Sequence, residues 1–576
     1  MSIKQIVLFS IPALFLFNFS ANAQEDELDP EVVNIVKPYT PTISDAFKVK
    51  ETPVLNDSIF TRKKKVEYSI FSVPVASTFT PAKGKATSVE KAKPVKLYDN
   101  YATLGFGNYT SLLGELYSSF DISRTDNAAI FFRHNSSQGD IKDVRLDNKY
   151  YDTSLEASYT SRQRDMFYQF EAGVKHQLFN WYGVNNSVYT QNPTVAIDPQ
   201  QNYISGFLGG NISFEDAFFE SGAVKIQYVT DSFSSSEFNA VLTPKFTFPM
   251  EDLALSLLAD INYLTGSFDR NYSNTSEINY SYLNAGATPA LAYSNDDFSF
   301  EIGAAAFVSL DTENSETNFS LYPKLNASYR ISDETVIIYG GVVGGLQQNT
   351  YYNFKEVNPF VSPTLNIAPT RQLYNAFAGL KGKLSNAVGY DFNVSYGKDE
   401  NRALFQTNPI KYLNPDLEGY EYGNSFNVVY DDVNTLGVYG ELNLAVTNNF
   451  NLGIKANYYN YNTEFGNEAW NLPTLQASIF SNFNITEKLS GSATVFFTGE
   501  RKDLNYTYDL LGYPLEESVT LDAFVDANLR LNYQFTDKLS VFVKGSNLTG
   551  KNYQKWLHYP VQGIQGLAGA TYKFDW

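Results

Sequence analysis

The sequence predicts an all-β protein, a transmembrane antiparallel β-barrel of about 22 strands with an extended N-terminal periplasmic arm. Three observations predict this class. The chain ends in an alternating strand that runs to the last residue, Trp576. Ten short turn signals separate alternating runs of about 10 residues, which is typical of outer-membrane barrels. Aromatic residues form 16% of the chain, with 42 Tyr and 44 Phe, and Tyr gathers where a membrane meets water.

The first residues have the pattern of a secretory signal peptide. Lys4 precedes an apolar run over residues 6–19, and Ala21-Asn22-Ala23 forms an A-x-A cleavage pattern before Gln24. The run is too short for a membrane-spanning helix, which needs about 20 apolar residues. We therefore expect residues 1–23 to be removed. Lipid attachment through an N-terminal Cys is excluded, because the chain contains no Cys.

Residues 24–98 differ in composition from the rest of the chain. They contain seven prolines and the basic run Arg62-Lys63-Lys64-Lys65. Proline fixes φ and removes a backbone donor, so this spacing interrupts long helices and central strands. We predict a proline-containing periplasmic arm or reduced plug here, because the segment supplies few residues for a globular core.

The barrel is predicted to occupy residues 99–576. In the segment 522–533, apolar side chains such as Val525 and Leu529 alternate with polar ones such as Asp526. One face of such a strand suits lipid and the other suits water. A soluble, Tyr-rich, sugar-binding sandwich is the alternative, since its strands alternate in the same way. The number of strands and the spacing of the turns favour the barrel.

Turn signals set the predicted strand number. Each of the ten turns joins two strands, and one further strand at each end brings the total to about 22. The turns are predicted at 125–127, 162–165, 215–217, 249–252, 295–297, 332–334, 385–387, 447–449, 486–488 and 536–538. Longer segments fall between them, near 178–202, 265–279, 347–372, 403–425 and 501–520. We expect these segments outside the cell, where ligand or partner contacts would form.

Charge and residue types argue against several functions. The net charge of −19 disfavours nucleic-acid binding, which depends on clustered Lys and Arg. The absence of Cys excludes disulfides, thiolate zinc sites and Cys nucleophiles. We predict no cofactor, no metal site and no enzyme activity. A hydrolase using His134 or His176 at the barrel rim is the alternative, and His558 is the third His of the chain.

Glycine is concentrated in the run Gly340-Gly341-Val342-Val343-Gly344-Gly345. Such a run could suggest a phosphate-binding loop. It lies inside a predicted strand, however, where Gly permits bending or close packing instead. No P-loop, zinc-protease or EF-hand motif is present in the sequence.

The C-terminal region resembles that of TonB-dependent receptors. Residues 545–553 read Gly-Ser-Asn-Leu-Thr-Gly-Lys-Asn-Tyr, residues 559–563 read Tyr-Pro-Val-Gln-Gly, and a strand with an aromatic end follows. These three elements recur in this order in that family. The resemblance implies a large outer-membrane barrel for solute uptake. It also implies that Tyr572, Phe574 and Trp576 close the barrel and signal to the barrel-assembly machinery.

The N-terminal region departs from that family. Its members carry a long plug domain, whereas only residues 24–98 precede the first predicted strand. A complete plug does not fit in this segment, although a barrel of about 22 strands encloses a lumen that needs one. Within the segment, Glu31, Val32 and Val33 resemble the short TonB box through which family members add a strand to TonB.

Two functions therefore remain open. The first is solute uptake or transport across the outer membrane of a Gram-negative cell, with TonB and a surface lipoprotein as candidate partners. The second is a plug-less structural or accessory subunit of a larger outer-membrane assembly or secretion complex, whose partners would bind the periplasmic arm. Porin-like diffusion is a further alternative. Membrane lipid surrounds the barrel in each case.

Overall fold

The structure is a computed structural model that describes residues 96–576, except 187, 190–196, 275, 412–416, 467 and 510–512. The predicted signal peptide and all but the end of the predicted arm lie outside the described residues, as do Glu31, Val32 and Val33. The predicted class is confirmed, since 22 strands form one sheet that closes on itself. Among the described residues, a short helix, α1, spans Tyr351–Val357. No helix in the described part of the chain is long and apolar enough to cross a membrane.

The barrel strands follow one another around the ring in chain order. They are β1 (Asn100–Gly107), β2 (Ser111–Asp121), β3 (Asp126–Ser137), β4 (Tyr150–Arg162), β5 (Met166–Asn180), β6 (Gln200–Phe214), β7 (Phe219–Asp231), β8 (Ser236–Met250), β9 (Leu253–Phe268), β10 (Ile278–Ser294), β11 (Phe298–Asp311), β12 (Glu316–Ser332), β13 (Val336–Gln347), β14 (Thr370–Ser385), β15 (Val388–Thr407), β16 (Phe426–Thr447), β17 (Phe450–Thr463), β18 (Leu475–Asn484), β19 (Leu489–Thr498), β22 (Phe524–Gln534), β23 (Leu539–Ser546) and β26 (Gln565–Phe574). Two hairpins lie outside the ring, β20 (Arg501–Tyr508) with β21 (Pro514–Leu521), and β24 (Gln554–Trp556) with β25 (Tyr559–Pro560).

The first and last strands close the ring. β1 pairs with β26 antiparallel, from Asn100 opposite Phe574 to Gly107 opposite Leu567. Every barrel strand therefore has two neighbours, and no edge of the sheet is left unpaired. A closed sheet is one of the few structures that satisfies backbone polar groups in hydrocarbon.

The two faces of the strands differ as predicted. Leu104 and Phe106 of β1 are 60% and 67% exposed on the outer face. In β16, Leu436 and Val438 are likewise exposed, whereas Tyr439 alternates with them and turns inward. An apolar outer face suits lipid, and a polar inner face suits a water-filled lumen.

All ten predicted turns connect strands at one end of the barrel, the end where β1 begins and β26 finishes. The five predicted long segments lie at the opposite end. The prediction missed three further long connections at that end, 138–149, 464–474 and 547–564. The glycine-rich run 340–345 lies inside β13, as predicted. By the predicted orientation the turns are periplasmic, and we call the opposite end the outer end.

Candidate functional site

Five long connections at the outer end fold against one another. We define the outer cap as the described residues of 181–199, 348–369, 408–425, 499–523 and 547–564. These connections leave the ring at widely separated strands, from β5 to β26. Since they nevertheless contact one another, the outer cap extends across the mouth of the barrel.

Aromatic side chains form the centre of the outer cap. The ring of Tyr559 stacks on Phe360 with centroids 3.8 Å apart, and Tyr182 lies 4.8 Å from Tyr559. Trp556 and Phe426 are buried beside them with centroids 5.4 Å apart. Tyr182, Phe360 and Tyr559 come from three separate connections, so aromatic packing joins these parts of the cap.

Polar contacts also join the connections. The side-chain amide of Asn424 donates to the backbone oxygen of Trp181 over 2.7 Å. The hydroxyl of Tyr182 donates to the backbone oxygen of Pro560 over 3.0 Å. Because buried polar groups without partners are costly, these bonds favour one arrangement of the loops.

Helix α1 contacts the barrel wall through its first turn. The hydroxyl of Thr350 caps the helix by accepting from the backbone N–H of Asn353 at 3.0 Å. The carboxylate of Glu237, at the outer end of β8, accepts from the backbone N–H groups of Tyr351 and Tyr352 at 2.6 and 3.0 Å. A carboxylate at this position satisfies backbone donors that have no partner inside the helix.

A charged network fixes the other end of α1. Lys355, whose side chain is 1% exposed, donates to Gln177 of β5 at 2.7 Å and to Glu356 at 2.6 Å. Lys175 of β5 donates to Glu356 at 3.0 Å and lies 3.5 Å from Asp152 of β4. Burial lowers the pKa of Lys355, although Glu356 opposes this shift. Burial would raise the pKa of Glu356, but Lys355 and Lys175 hold it below its ordinary value.

Tyrosine side chains add two more links between the helix segment and the wall. The hydroxyl of Tyr351 donates to Asp231 at the end of β7 over 2.7 Å. The hydroxyl of Tyr203 in β6 donates to the backbone oxygen of Pro359 over 3.1 Å. Helix α1 is therefore tied to several neighbouring strands on one side of the mouth.

The hairpin β20–β21 covers another part of the mouth. The buried carboxylate of Asp503 accepts from the backbone N–H of Thr407 at 3.2 Å and of Leu504 at 2.8 Å. Burial raises the pKa of Asp503 to about 6. Arg501 donates to the backbone oxygens of Lys555 at 2.5 Å and Gln554 at 2.8 Å, and burial lowers the pKa of this guanidinium to about 10.

The residues that carry the C-terminal resemblance build the last outer connection. The side-chain amide of Asn547 donates to the backbone oxygens of Lys551 and Gln562, each at 2.8 Å. The ring of Tyr553 stacks on Phe524 with centroids 3.7 Å apart. Together with the buried Tyr559, these residues fold the connection 547–564 into the outer cap.

The three aromatic residues predicted at the C-terminus lie at the opposite end from the cap. Tyr572 and Phe574 belong to β26. Trp576 is 82% exposed, packs edge-on to Phe574 at 5.3 Å and donates from its indole N–H to the hydroxyl of Ser118 over 3.0 Å. Their role as an assembly signal stays a prediction.

The candidate His residues do not meet one another. The two ring nitrogens of His134 lie 2.8 Å from the Thr153 hydroxyl and 3.0 Å from the Ser136 hydroxyl. His176 lies in β5, and His558 lies in the outer cap. Among the described residues, no group of three or more His, Asp or Glu side chains could hold a metal ion.

Comparison with solved structures gives the same architecture. The ferripyoverdine receptor of the outer membrane of Pseudomonas aeruginosa is 13% identical over 84% of this chain and 73% of its own, with a TM-score of 0.60. The FrpB iron transporter from Neisseria meningitidis is 10% identical over 83% and 82%, with a TM-score of 0.61. The siderophore receptor PirA from Acinetobacter baumannii is 11% identical over 84% and 81%, with a TM-score of 0.60.

No protein-family model matches the chain, and no curated protein matches it. At identities of 10–13%, the structural similarity extends to the fold alone. The chain therefore has the 22-strand barrel fold of outer-membrane receptors and transporters.

Proposed function

We propose that this chain transports a solute across the outer membrane of a Gram-negative cell, and that the outer cap closes the mouth of the barrel between transport events. The observation that carries the proposal is the attachment of α1 to the barrel wall. The helix bears Lys355 and Glu356, which bind Gln177 and Lys175 of β5 at the mouth of the lumen.

The way in which α1 is attached is suited to a gating element that moves between two positions. A gating element needs two arrangements of similar free energy. Buried ion pairs contribute little net stability, because the loss of hydration offsets much of the attraction between the charges. The network around Lys355 can therefore specify one position of α1 while leaving the cost of releasing the helix small.

The solved structures with this fold support transport as the general class. Their names include an iron transporter, a copper transporter and a siderophore receptor. The solute of this chain is left open by the proposal, because the outer connections that would select it differ from protein to protein.

Energy would come from TonB through the N-terminal arm. In this proposal Glu31, Val32 and Val33 add a strand to TonB, and residues 24–98 form the arm or a reduced plug. Val32→Pro should abolish TonB binding to a peptide of the arm, because proline cannot donate to a strand ladder. Equal binding by the variant peptide would remove TonB from the mechanism.

The arm is also expected to reduce flow through the barrel. Deleting residues 24–98 should raise single-channel conductance sharply, because a 22-stranded barrel encloses a wide lumen. Unchanged conductance in the deletion would show that the arm does not block the lumen.

An accessory role in a larger outer-membrane complex is the second candidate. It is motivated by the composition of residues 24–98, which we expect to form a periplasmic arm or reduced plug to which partners could bind. Gentle extraction through a tag on an outside loop, followed by mass measurement of the intact particle, separates the two functions. A stoichiometric complex with assembly or secretion proteins would support the accessory role. A lone barrel, or one bound to TonB or a surface lipoprotein, would support transport.

A further inference from the structure

A cleft of about 270 Å³ opens on the inner wall of the barrel, on strands β13 to β17. It lies toward the periplasmic end, since Asn393 is only six residues from the turn that precedes β15. Its lining includes the side chains of Asn393, Ser395, Tyr439, Asn457 and Tyr459, together with Gly437. The alternating neighbours Val394 and Tyr458 are exposed on the outer face, which places Ser395 and Tyr459 on the lumen side.

The register of the strands arranges the lumen-facing side chains in three rows. The row nearest the turns is Lys381, Asp391, Glu441 and Lys455; the next is Gly379, Asn393, Tyr439 and Asn457; the third is Phe377, Ser395, Gly437 and Tyr459. Charge thus lies along one side of the cleft, and small, amide and aromatic residues form its floor and walls.

Two glycines keep the cleft open. A Cβ atom at Gly379 would lie 2.5 Å from the ring of Tyr339, so the glycine lets that ring lie across the wall. A Cβ atom at Gly437 would lie 2.6 Å from the hydroxyl oxygen of Ser395 and 3.4 Å from the ring of Tyr459. Gly437 therefore keeps the middle of the cleft open.

The charged row is already neutralised by its own neighbours. The Tyr339 hydroxyl donates to Asp391 at 2.5 Å, and the Tyr439 hydroxyl donates to Glu441. The ammonium of Lys381 lies 5.1 Å from the ring centre of Tyr339. The ammonium of Lys455 faces the ring of Tyr439 in the same way. Two cations balance two carboxylates, and the rings of Tyr339 and Tyr439 each already face an ammonium.

The side chains of the cleft that remain available to a solute are uncharged. Asn393 donates to the Tyr339 hydroxyl and Asn457 accepts from the Tyr459 hydroxyl, each at 3.4 Å. Each amide keeps further capacity, because an amide has two N–H donors and an oxygen with two lone pairs. Ser395 adds a hydroxyl and Tyr459 adds a ring. A cation would meet Lys381 and Lys455, and an anion would meet Asp391 and Glu441. These groups suit a solute that has hydroxyls at its edges and an apolar face, because amides bind hydroxyls and an aromatic ring packs against apolar surface.

We propose that this cleft binds a neutral, hydroxyl-rich solute of one or two sugar rings during its passage through the barrel. The inference rests on the proposed transport function and names its solute class. The affinity is low, as passage requires, because the cleft is an open groove rather than an enclosed pocket and the solute must leave it again.

Saturation-transfer NMR on the purified full chain in detergent tests the proposal with three probes, cellobiose, glucuronate and glucosamine. Cellobiose should give the strongest transfer. Gly437→Val should weaken cellobiose binding about tenfold, the factor that corresponds to about 1.4 kcal/mol of lost contacts. Gly345→Val is the matched control, because a Cβ atom at Gly345 meets nothing within 4 Å.

Cellobiose transfer that is lost in Gly437→Val and kept in Gly345→Val supports the cleft. Stronger transfer to glucuronate or glucosamine, or equal cellobiose transfer in all three chains, overturns it. Swelling of liposomes that contain the barrel measures passage separately. Binding without passage would contradict the transport function and spare the cleft, whereas passage without binding would contradict the cleft alone.

Discussion

The two ends of the barrel are held together in different ways. At the periplasmic end, the turns are folded by contacts within a few residues, and the further links join elements that are neighbours or near neighbours in the ring, such as Glu334 with Lys383. The hydroxyl of Thr536, for example, accepts from the backbone N–H groups of Lys538 and Leu539 at 3.3 and 3.0 Å. At the outer end, the contacts join residues far apart in the chain, such as Asn424 with Trp181 and Tyr559 with Phe360.

This difference indicates that the barrel and the outer cap can be disturbed separately. The strands and turns form the ring without any contribution from the cap. The cap depends on the ring, because its connections meet only when the strands hold their ends in place. Damage at the periplasmic end should therefore affect the whole protein, whereas damage at the outer end should affect the cap alone.

The largest effect is expected from removing Trp576. Its indole N–H donates to the hydroxyl of Ser118, which in turn donates to Asn100 of the closing strand β1. The truncated chain should reach the outer membrane at a small fraction of the normal level, as measured by surface labelling. Trp576→Phe should retain most of that level. Normal levels of the truncated chain would contradict a role of this residue in assembly.

The next largest effect is expected from Tyr559→Ala, because Tyr559 lies at the centre of the cap. Removing a large buried aromatic side chain costs about 3–5 kcal/mol. Limited proteolysis should cut the outer connections of this variant while the barrel stays intact. Tyr513→Ala is the matched control, since Tyr513 is an exposed tyrosine at the same end. Loss of the barrel together with the cap would show that the two are not separable.

A third prediction compares one ion pair at each end. Glu356→Ala removes the carboxylate beside the buried Lys355 and should destabilise the cap by about 1–3 kcal/mol, because the buried ammonium keeps Gln177 but loses its charged partner. Glu334→Ala removes the exposed partner of Lys383 in a periplasmic turn and should have a much smaller effect, because water screens exposed ion pairs. Hydrogen exchange of α1 and of that turn measures both. Equal effects would contradict the comparison.

The smallest effect concerns pH. Burial raises the pKa of Asp503 from 3.8 to about 6, so the folded cap binds this proton more tightly than the unfolded segment does. The contribution of Asp503 to cap stability is thus greatest below pH 4 and is lost as the pH rises through 6. Asp503→Asn should gain protease resistance relative to the natural chain over this interval. A constant difference between the two chains from pH 4 to 7 would contradict it.

The same contrast explains what could be predicted from the sequence. The class, the strand number and all ten periplasmic turns follow from local patterns, because side chains such as Thr536 accept from backbone N–H groups two and three residues away. The cap could not be predicted, since Tyr182, Phe360 and Tyr559 meet only in three dimensions. The sequence contains one local signal for helix α1, Thr350 as an N-cap before a seven-residue segment. This signal is weak, because isolated helices of this length are not stable without tertiary contacts.

The lumen cleft illustrates the same limit. Alternation predicts that Asn393, Gly437 and Tyr459 face inward, but only the register of β15, β16 and β17 places them in one row or in adjacent rows. Register depends on pairing between strands that single-sequence patterns do not fix.

The central claim is that the connection 348–369, which carries α1, closes part of the outer mouth of a barrel that is stable without it. Gln347 and Thr370 are opposite each other in the ladder of β13 and β14, so a two-residue turn can replace residues 348–369. Single-channel conductance should be recorded for this variant and its parent, each with and without residues 24–98. In the barrel that lacks residues 24–98, removing residues 348–369 should raise the single-channel conductance further. Equal conductance with and without 348–369 in that barrel would contradict it.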